Sequence, residues 1–187
     1  MKEQSPLSTL SLAILGLVSR QPMSGYDLRK LFATTPMGHF SASPGAIYPA
    51  LRRLEREGLV KGTVERKQTL RPRQVFALTK RGAEALAQEL RRPVTRDDII
   101  WHLDKIMLRF AFGGYVVGRE QTLVLLKQFV AQAEGYVAWL REQLKLIPDE
   151  RPSYGRMALG HGLEMYQANA RWAKDVIRQL EEESDAG

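Results

Sequence analysis

Two long stripes of apolar residues in the C-terminal half constrain the fold more than any other feature of this sequence. Within each stripe the apolar positions alternate between three and four residues apart, which is the 3.5-residue repeat of helices that pack side by side. The segment PDERPSYG separates the stripes and predicts a turn, so we expect an antiparallel helical hairpin. The two stripes are Leu123, Leu126, Val130, Ala133, Val137, Leu140, Leu144 and Ile147, and then Leu159, Leu163, Tyr166, Ala170, Ala173, Ile177 and Leu180.

The apolar stripes are expected to pack either on each other or on a second copy of the chain. Two long helices and one short helix have little core of their own, so dimerisation is the favoured interpretation. Flanking aromatic residues, among them Phe129, Tyr136, Trp139 and Trp172, widen the apolar surface. The residues predicted to dimerise are Leu123, Leu126, Val130, Val137, Leu140, Leu144, Leu163, Tyr166, Ile177 and Leu180.

The N-terminal half has the pattern of short helices separated by breaks. The apolar run LSLAILGLV is too short to span a bilayer and lacks the basic start of a signal peptide, so it predicts a buried first helix. Ser24 and Asp27 resemble a capping pair that opens a second helix. Ser43 and Pro44 supply an N-cap and a first-turn proline for a third helix, which ends at Gly58.

Two β-rich runs, LVKGTVE and QVFALT, follow the third helix and predict a hairpin with a polar tip. Thr79 can then cap a fourth helix, after which proline and charged residues interrupt the apolar pattern near Pro93. The predicted fold is therefore mainly α with a small β wing. We expect a winged helix-turn-helix domain in residues 1–92 and a helical dimerisation and effector domain in residues 93–187.

The order of three helices and a hairpin is that of a winged helix-turn-helix, whose third helix enters the major groove of DNA. On a helical wheel the third helix has one apolar face and one small, cationic face. Its arginines are expected either to contact DNA or to pair with Glu55 and Glu57 at the surface. The apolar face contains Ile47, Ala50, Leu51 and Leu54, the outward face contains Gly45, Pro49, Arg52 and Arg56, and Tyr48 and Arg53 lie at the margins.

The basic charge of the chain belongs to the N-terminal half. Residues 1–92 contain 16 Lys and Arg against 7 Asp and Glu, a net charge of +9, whereas residues 93–187 contain 12 against 14, a net charge of −2. Such a half suits a polyanion, although basic residues also serve solubility and protect strand edges. The N-terminal end of the third helix, with Ser43, favours a phosphate. The basic residues of the hairpin, predicted to contact DNA, are Lys61, Arg66, Lys67, Arg71 and Arg73.

Several functions are disfavoured by what the sequence lacks. Cysteine is absent and there are only three histidines, so we expect neither a disulfide framework nor a metal site, and a reducing cytoplasm fits best. No phosphate-binding loop, dinucleotide fingerprint or nucleophile elbow occurs. We therefore expect no catalysis, no cofactor and no membrane association.

Three segments carry a family resemblance. LAILGLVSRQPMSGYDLRKLF, SPGAIYPALRRLEREGLV and FALTKRGAEAL resemble the signature stretches of the PadR family of bacterial transcriptional regulators. The resemblance implies a homodimeric repressor that binds an inverted repeat and is often released by a small aromatic or hydrophobic effector. It also implies that Tyr48 and the hairpin cations contact DNA and that Tyr26 supports the turn or a phosphate. The C-terminal half resembles the longer-tailed subgroup, in which a helical tail dimerises.

The residues just past Pro93 include aromatic side chains that either line an effector pocket or form core. They are Trp101, His102, Phe110 and Phe112, and Tyr166 and Trp172 are further candidates in the tail. The alternative function is a protein–protein interaction module that uses the C-terminal helices and binds no specific DNA. Salt distinguishes the two, because DNA affinity falls steeply with ionic strength.

Overall fold

The structure is a computed structural model that describes residues 6–40, 44–65, 72–147 and 153–185. The chain divides into two compact units, each with its own internal contacts. The first unit contains the residues up to Arg92 together with Met107–Val117, and the second contains Pro93–Ile106 and the residues from Gly118 onward. The assignment of functions to residues 1–92 and 93–187 stays a prediction.

The described residues form α-helices and three short strands, with two 3₁₀ turns, Pro36–Phe40 and Pro44–Ala46, before the third helix. The predicted class, mainly α with a small β wing, is confirmed. The elements in chain order are α1 (Thr9–Arg20), β1 (Met23–Ser24), α2 (Gly25–Thr34), α3 (Ile47–Arg56), β2 (Val60–Glu65), β3 (Arg73–Leu78), α4 (Lys80–Arg91), α5 (Arg96–Trp101), α6 (Leu103–Val116), α7 (Arg119–Lys145) and α8 (Tyr154–Asp185).

The three strands form one antiparallel sheet in the order β1-β3-β2. The predicted hairpin is present, with Val60 opposite Leu78 and Glu65 opposite Arg73. The third strand, β1, was not predicted, because two residues are too few to show an alternating pattern. Met23 of β1 lies opposite Phe76, so the sheet begins in the turn between α1 and α2.

The core of the first unit confirms the apolar faces read from the sequence. The run LSLAILGLV is a buried helix, and the predicted inner face of α3 is buried as well. The largest side chains in this core with almost no exposure are Leu12, Ile14, Leu15, Leu28, Ile47, Leu51, Leu54 and Leu86.

The start of α3 differs from the prediction. The α-helix begins at Ile47, after the 3₁₀ turn Pro44–Ala46, and Ala46 at its N-cap makes no side-chain hydrogen bond. Pro49 is therefore the third helical residue, within the first turn. Because the first N–H groups of a helix have no intrahelical acceptor, a proline there removes no helical hydrogen bond. Pro49 therefore does not interrupt the hydrogen bonding of α3.

The end of α3 is joined tightly to the sheet and to α4. The N–H of Leu59 donates to the carbonyl of Leu54 and the N–H of Gly58 to that of Glu55, a Schellman motif in which Gly58 has φ 69°. Thr79 caps α4, and its hydroxyl also donates to the Gly58 carbonyl at 2.7 Å. A Cβ on Gly82 would collide with the Leu59 carbonyl, so glycine permits this close approach.

The apolar residues Ile99, Leu103, Ile106, Met107 and Phe110 have the spacing of one amphipathic helix, which predicts a single helical segment, but the segment contains two helices, α5 and α6. His102 breaks it with φ −135° and ψ 33°, and α6 then continues through Gly113 and Gly114. The glycine that ends the segment is Gly118, whose φ of 85° a side chain would not tolerate. The sequence pattern missed the break at His102 because the helical spacing of apolar residues continues across it.

In the second unit, α7 and α8 pack against each other as an antiparallel hairpin, as predicted. Lys127 pairs with Glu181 at 2.8 Å, and Lys174 pairs with Glu134 further along both helices. The buried face of α7 is shifted near its start, because α5 also packs there. It contains Thr122, Leu125, Leu126, Phe129, Ala133, Val137 and Leu140, so Leu123 and Val130 of the predicted stripe are only half-buried.

Candidate nucleic-acid interface

The outward face of α3 is the centre of the candidate interface. Burial of Ile47, Leu51 and Leu54 fixes the rotation of the helix, so the opposite side faces solvent. Tyr48 is 45% exposed on that side. Gly45, Pro49, Arg52 and Arg56 are exposed as well, as the helical wheel predicts.

Tyr48 is held over the start of α2. A Cβ on Gly25 would lie 2.6 Å from Cε1 of Tyr48, so the ring packs directly on the glycine backbone. Tyr26, the next residue, is 59% exposed, and the Arg29 guanidinium lies 6.0 Å from its ring centroid. The Gly25-Tyr26 pair therefore supports one aromatic side chain and presents another.

A groove of about 760 Å³ runs between α2, α3 and the hairpin. Its walls combine aromatic rings with cationic groups, and a carboxylate lies within it. A phosphate backbone has the charge that such walls attract. The polar and aromatic side chains that line it include Tyr26, Tyr48, Arg52, Glu55, Arg73 and Gln74.

The two described basic residues of the hairpin differ in their ion pairing. Lys61 on β2 is exposed. Arg73 on β3 lies 3.5 Å from Asp27 and 3.4 Å from Glu65, so two carboxylates offset its charge. Ser43, Arg66, Lys67 and Arg71 lie outside the described residues.

Asp27 links the hairpin to the cap of α2. The Asp27 N–H donates to the Ser24 hydroxyl, and the Asp27 carboxylate accepts from the Ser24 backbone N–H at 3.3 Å, so the predicted capping box is confirmed. The same carboxylate also accepts a hydrogen bond from the Ser24 hydroxyl at 2.7 Å. The Ser24 hydrogen bond is the main cause that lowers the pKa of Asp27 below 3.8, and Arg73 adds a smaller attraction. The carboxylate is thus charged where it contacts Arg73.

Arg53 differs from the other arginines of α3. Its guanidinium donates to the hydroxyls of Ser11, at 2.8 Å, and Ser8, at 3.3 Å, at the start of α1. The structure therefore does not bring this guanidinium to the face that carries Arg52 and Arg56. Its hydrogen bonds join α3 to α1.

The structure adds two basic residues that the sequence reading overlooked. Arg29 and Lys30 are exposed on α2 and, with Tyr26 and Ala33, line a shallow groove. The spacing of these positions, 26, 29, 30 and 33, places them on one side of a helix. That spacing was visible in the sequence, and it continues the basic surface from α3 onto α2.

The candidate effector residues are divided between the two units. Phe110 and Phe112 belong to the first unit, where Phe112 packs against Gly16 in the core. In the second unit Trp101 is 74% exposed and His102 is also exposed. Tyr166 contacts Tyr136 edge to face at 4.7 Å, Trp172 contacts Phe129 at 6.5 Å, and burial raises the pKa of Tyr166.

Some of the residues predicted to dimerise are buried by packing within a single chain. Leu126, Val137, Leu140 and Tyr166 are buried in a single copy. Leu123, Val130, Leu144, Leu163, Ile177 and Leu180 are half-buried and keep apolar surface in contact with solvent. Dimerisation through these residues stays a prediction.

The part of the chain that the structure describes contains neither a membrane-spanning helix nor a cluster of metal ligands. No helix there is both long and apolar enough to cross a membrane. Within the same ranges, no group of three or more His, Asp or Glu side chains is placed to hold a metal ion.

Comparison with known proteins gives matches in both halves of the chain. A family described as "Transcriptional regulator PadR-like family" matches residues 14–88, and one described as "Virulence activator alpha C-term" matches residues 104–181. The negative transcriptional regulator PadR of Bacillus subtilis (strain 168) is 24% identical over 185 residues, which cover 95% of this chain and 100% of that protein. The transcriptional regulator YqjI of Escherichia coli (strain K12) is 34% identical over 79 residues, or 42% of this chain and 36% of that protein.

Solved structures of similar chains include B. subtilis PadR in complex with operator DNA, with 23% identity and a TM-score of 0.41 over 91% of this chain and 98% of that one. The PadR-like regulator BC1756 from Bacillus cereus has 26% identity and a TM-score of 0.41 over 96% and 99%. B. subtilis PadR in complex with p-coumaric acid has 24% identity and a TM-score of 0.38 over 96% and 99%.

A winged helix with a basic, aromatic outer face is a DNA-binding module, and the family matches agree with it. Residues 14–88 of the chain, within the first unit, are similar to the PadR-like family of transcriptional regulators. The protein is a DNA-binding transcriptional regulator, as the sequence predicted.

Proposed function

We propose that this regulator is a homodimeric repressor that binds an inverted-repeat operator. The observation that carries the DNA-binding part is the groove in which Tyr48 and Arg52 of α3 lie beside Tyr26 of α2. Arg56 is exposed one turn after Arg52 on α3, and Arg29 lies near the Tyr26 ring. A recognition helix reads base edges while the surrounding cations contact phosphates. Repression is supported by the B. subtilis relative, which is a negative regulator.

A second apolar stripe on α8 supports the homodimer. Tyr154, Ala158, Met165, Trp172 and Val176 recur four, seven, seven and four residues apart, and we call them the outer stripe of α8. They lie about 100° around the helix from the stripe that packs on α7. Tyr154 is 90% exposed and Met165 is 41% exposed. A large apolar surface of this kind marks a site of association in a soluble protein.

We also propose that a small aromatic effector releases the protein from DNA. The support is the family resemblance together with Trp101, a large apolar side chain that remains three-quarters exposed in the second unit. Calorimetric titration with p-coumaric acid, the molecule named for one PadR structure, and with benzoate as a simpler aromatic acid tests this step. Release requires that the bound acid weaken DNA binding.

The test of the DNA-binding proposal combines footprinting with a salt series. We expect a protected palindrome upstream of the protein's own coding sequence, with half-sites about one helical turn apart. We expect log Kobs to fall with log salt by about 0.9 for each phosphate neutralised. A protein–protein interaction module would show no protection at low salt, and a monomer in solution would contradict the inverted repeat.

A further inference from the structure

Glu55, near the end of α3, connects this helix to both strands of the hairpin. Its Oε1 accepts a hydrogen bond from the backbone N–H of Gly62 on β2 at 2.9 Å. The side-chain amide of Gln74 on β3 donates to the same oxygen at 3.5 Å. The Glu55 side chain is half-buried. One carboxylate oxygen therefore joins three elements of the winged helix.

Gly62 leaves the space that this connection needs. A Cβ at this position would lie 2.8 Å from Oε1 of Glu55 and would overlap the amide of Gln74. A larger residue would displace the Glu55 carboxylate and the Gln74 amide and so disrupt these hydrogen bonds. The hydrogen bonds and the glycine are separate observations that both describe a close approach between helix and strand.

A carboxylate on this helix opposes DNA binding through its charge, since it lies between Arg52 and Arg56 and lines the groove. Its position is accounted for by the two hydrogen bonds, because a charged acceptor makes stronger hydrogen bonds than a neutral one. We propose that Glu55 is a positioning residue for DNA binding, which fixes β2 and β3 so that Lys61 meets DNA together with α3. This inference rests on the proposed function.

The test compares Glu55→Ala, Glu55→Gln and the control Glu57→Gln, which removes a neighbouring exposed carboxylate of the α3 end. The probe is the duplex upstream of the protein's own coding sequence. Glu55→Ala is expected to weaken binding about fivefold to tenfold, the worth of one or two hydrogen bonds. Glu55→Gln keeps an acceptor oxygen and is expected to stay within about twofold. Glu57→Gln is expected to leave affinity unchanged or to raise it, because only negative charge is lost.

Two readouts separate positioning from a general loss of structure. In the free protein, Glu55→Ala should speed hydrogen exchange of the Gly62 amide about tenfold while the amides of α1 keep their rates. On DNA, the loss caused by Lys61→Ala should become smaller in the Glu55→Ala background than in the wild type. If Glu55→Ala is too unstable to purify, Gly62→Ala takes its place with the same expected results.

The positioning role would be overturned if Glu55→Ala bound DNA as tightly as the wild type. It would also be overturned if Lys61→Ala lowered DNA affinity equally in both backgrounds. Failure of the wild-type protein to bind the duplex overturns the proposed function instead. The Gly62 exchange rate is measured without DNA, so an unchanged rate overturns the connection itself, whatever the DNA result.

Discussion

Individual side chains decide which residues of α3 are free to contact DNA. Arg52 and Arg53 are neighbours of the same type, yet Arg52 is exposed beside Tyr48 whereas Arg53 donates to two hydroxyls of α1. Residue type alone does not distinguish the two arginines. The partners of each guanidinium separate a DNA contact from a structural one.

We predict that replacing Arg52 affects DNA binding, whereas replacing Arg53 affects stability. Arg52→Ala should weaken operator binding by about 1 to 3 kcal/mol and relax the choice of sequence if it contacts a base. Arg53→Ala should lower the free energy of unfolding by about 1 kcal/mol, because two hydrogen bonds to α1 are lost. Anisotropy titrations with operator and random duplexes, and urea unfolding, measure the two effects. A larger DNA defect for Arg53→Ala than for Arg52→Ala would contradict this assignment.

The Asp27 cap makes stability depend on pH. Because folding lowers the pKa of Asp27 below 3.8, its charged form stabilises the fold above that pH, and the contribution is lost as the pH falls through the lowered value. Asp27→Asn should therefore be less stable than wild type at neutral pH, and the difference should shrink below pH 3.8. Ser24→Ala, which removes the main cause of the shift, should cost about 1 kcal/mol at neutral pH. Urea unfolding across the pH range checks both; a constant difference between Asp27→Asn and wild type would count against the cap.

The junction of α3, β2 and α4 accounts for the glycine that follows α3 and for the Thr79–Gly82 segment that begins α4. Gly58 ends α3, Thr79 bonds to its carbonyl and caps α4, and Gly82 allows α4 to approach Leu59. These residues are far apart in sequence but form one contact. The β2–β3 hairpin separates Gly58 from Thr79 in sequence and brings the chain back to the end of α3, so that these residues meet.

Gly82→Ala should destabilise the protein by about 1 to 3 kcal/mol, because the new Cβ collides with the Leu59 carbonyl. The control is Gly135→Ala in the middle of α7, where nothing lies within 4 Å of the added Cβ. That change should stabilise α7 by about 1 kcal/mol, since alanine has the higher helix propensity. Chemical denaturation measures the change in the free energy of unfolding for both variants. Equal changes would show that the close approach at Gly82 is unimportant.

The sequence predicted elements whose signal is local and periodic, and it failed where the signal was tertiary. The buried face of α3, the capping box at Ser24 and the α7–α8 hairpin follow from spacing alone. The start of α3 at Ile47 and the break at His102 leave no trace in the apolar pattern. The bond partners of Arg53 lie more than forty positions away, so no local reading finds them.

For the whole molecule, the proposed dimer determines the symmetry of the DNA site. A two-fold protein binds two half-sites, and the spacing of the half-sites follows the distance between its recognition helices. Four of the ten residues predicted to dimerise are buried within one chain, and we propose the more exposed outer stripe of α8 as the surface for a second copy. The first unit holds the basic charge, so dimerisation brings two such units to one duplex.

Met165→Glu, on the outer stripe, should shift the protein toward monomer, because it places a charge in a surface that becomes buried. Met157→Glu is the matched control: the same residue type on the same helix, 58% exposed and about 80° away around the axis. It should remain a dimer. Sedimentation equilibrium measures both masses, and a dimeric Met165→Glu protein would place the interface elsewhere.

Selection from a pool of random DNA duplexes shows whether this protein recognises an inverted repeat as a dimer. The wild-type protein, incubated with the pool at low and at moderate salt, should enrich an inverted repeat with half-site centres about one helical turn apart. Enrichment should fall in the Arg52→Ala protein and persist in the Arg53→Ala protein. If the wild-type protein enriches no sequence, or enriches a single half-site without symmetry, the account of a dimeric operator-binding regulator is contradicted.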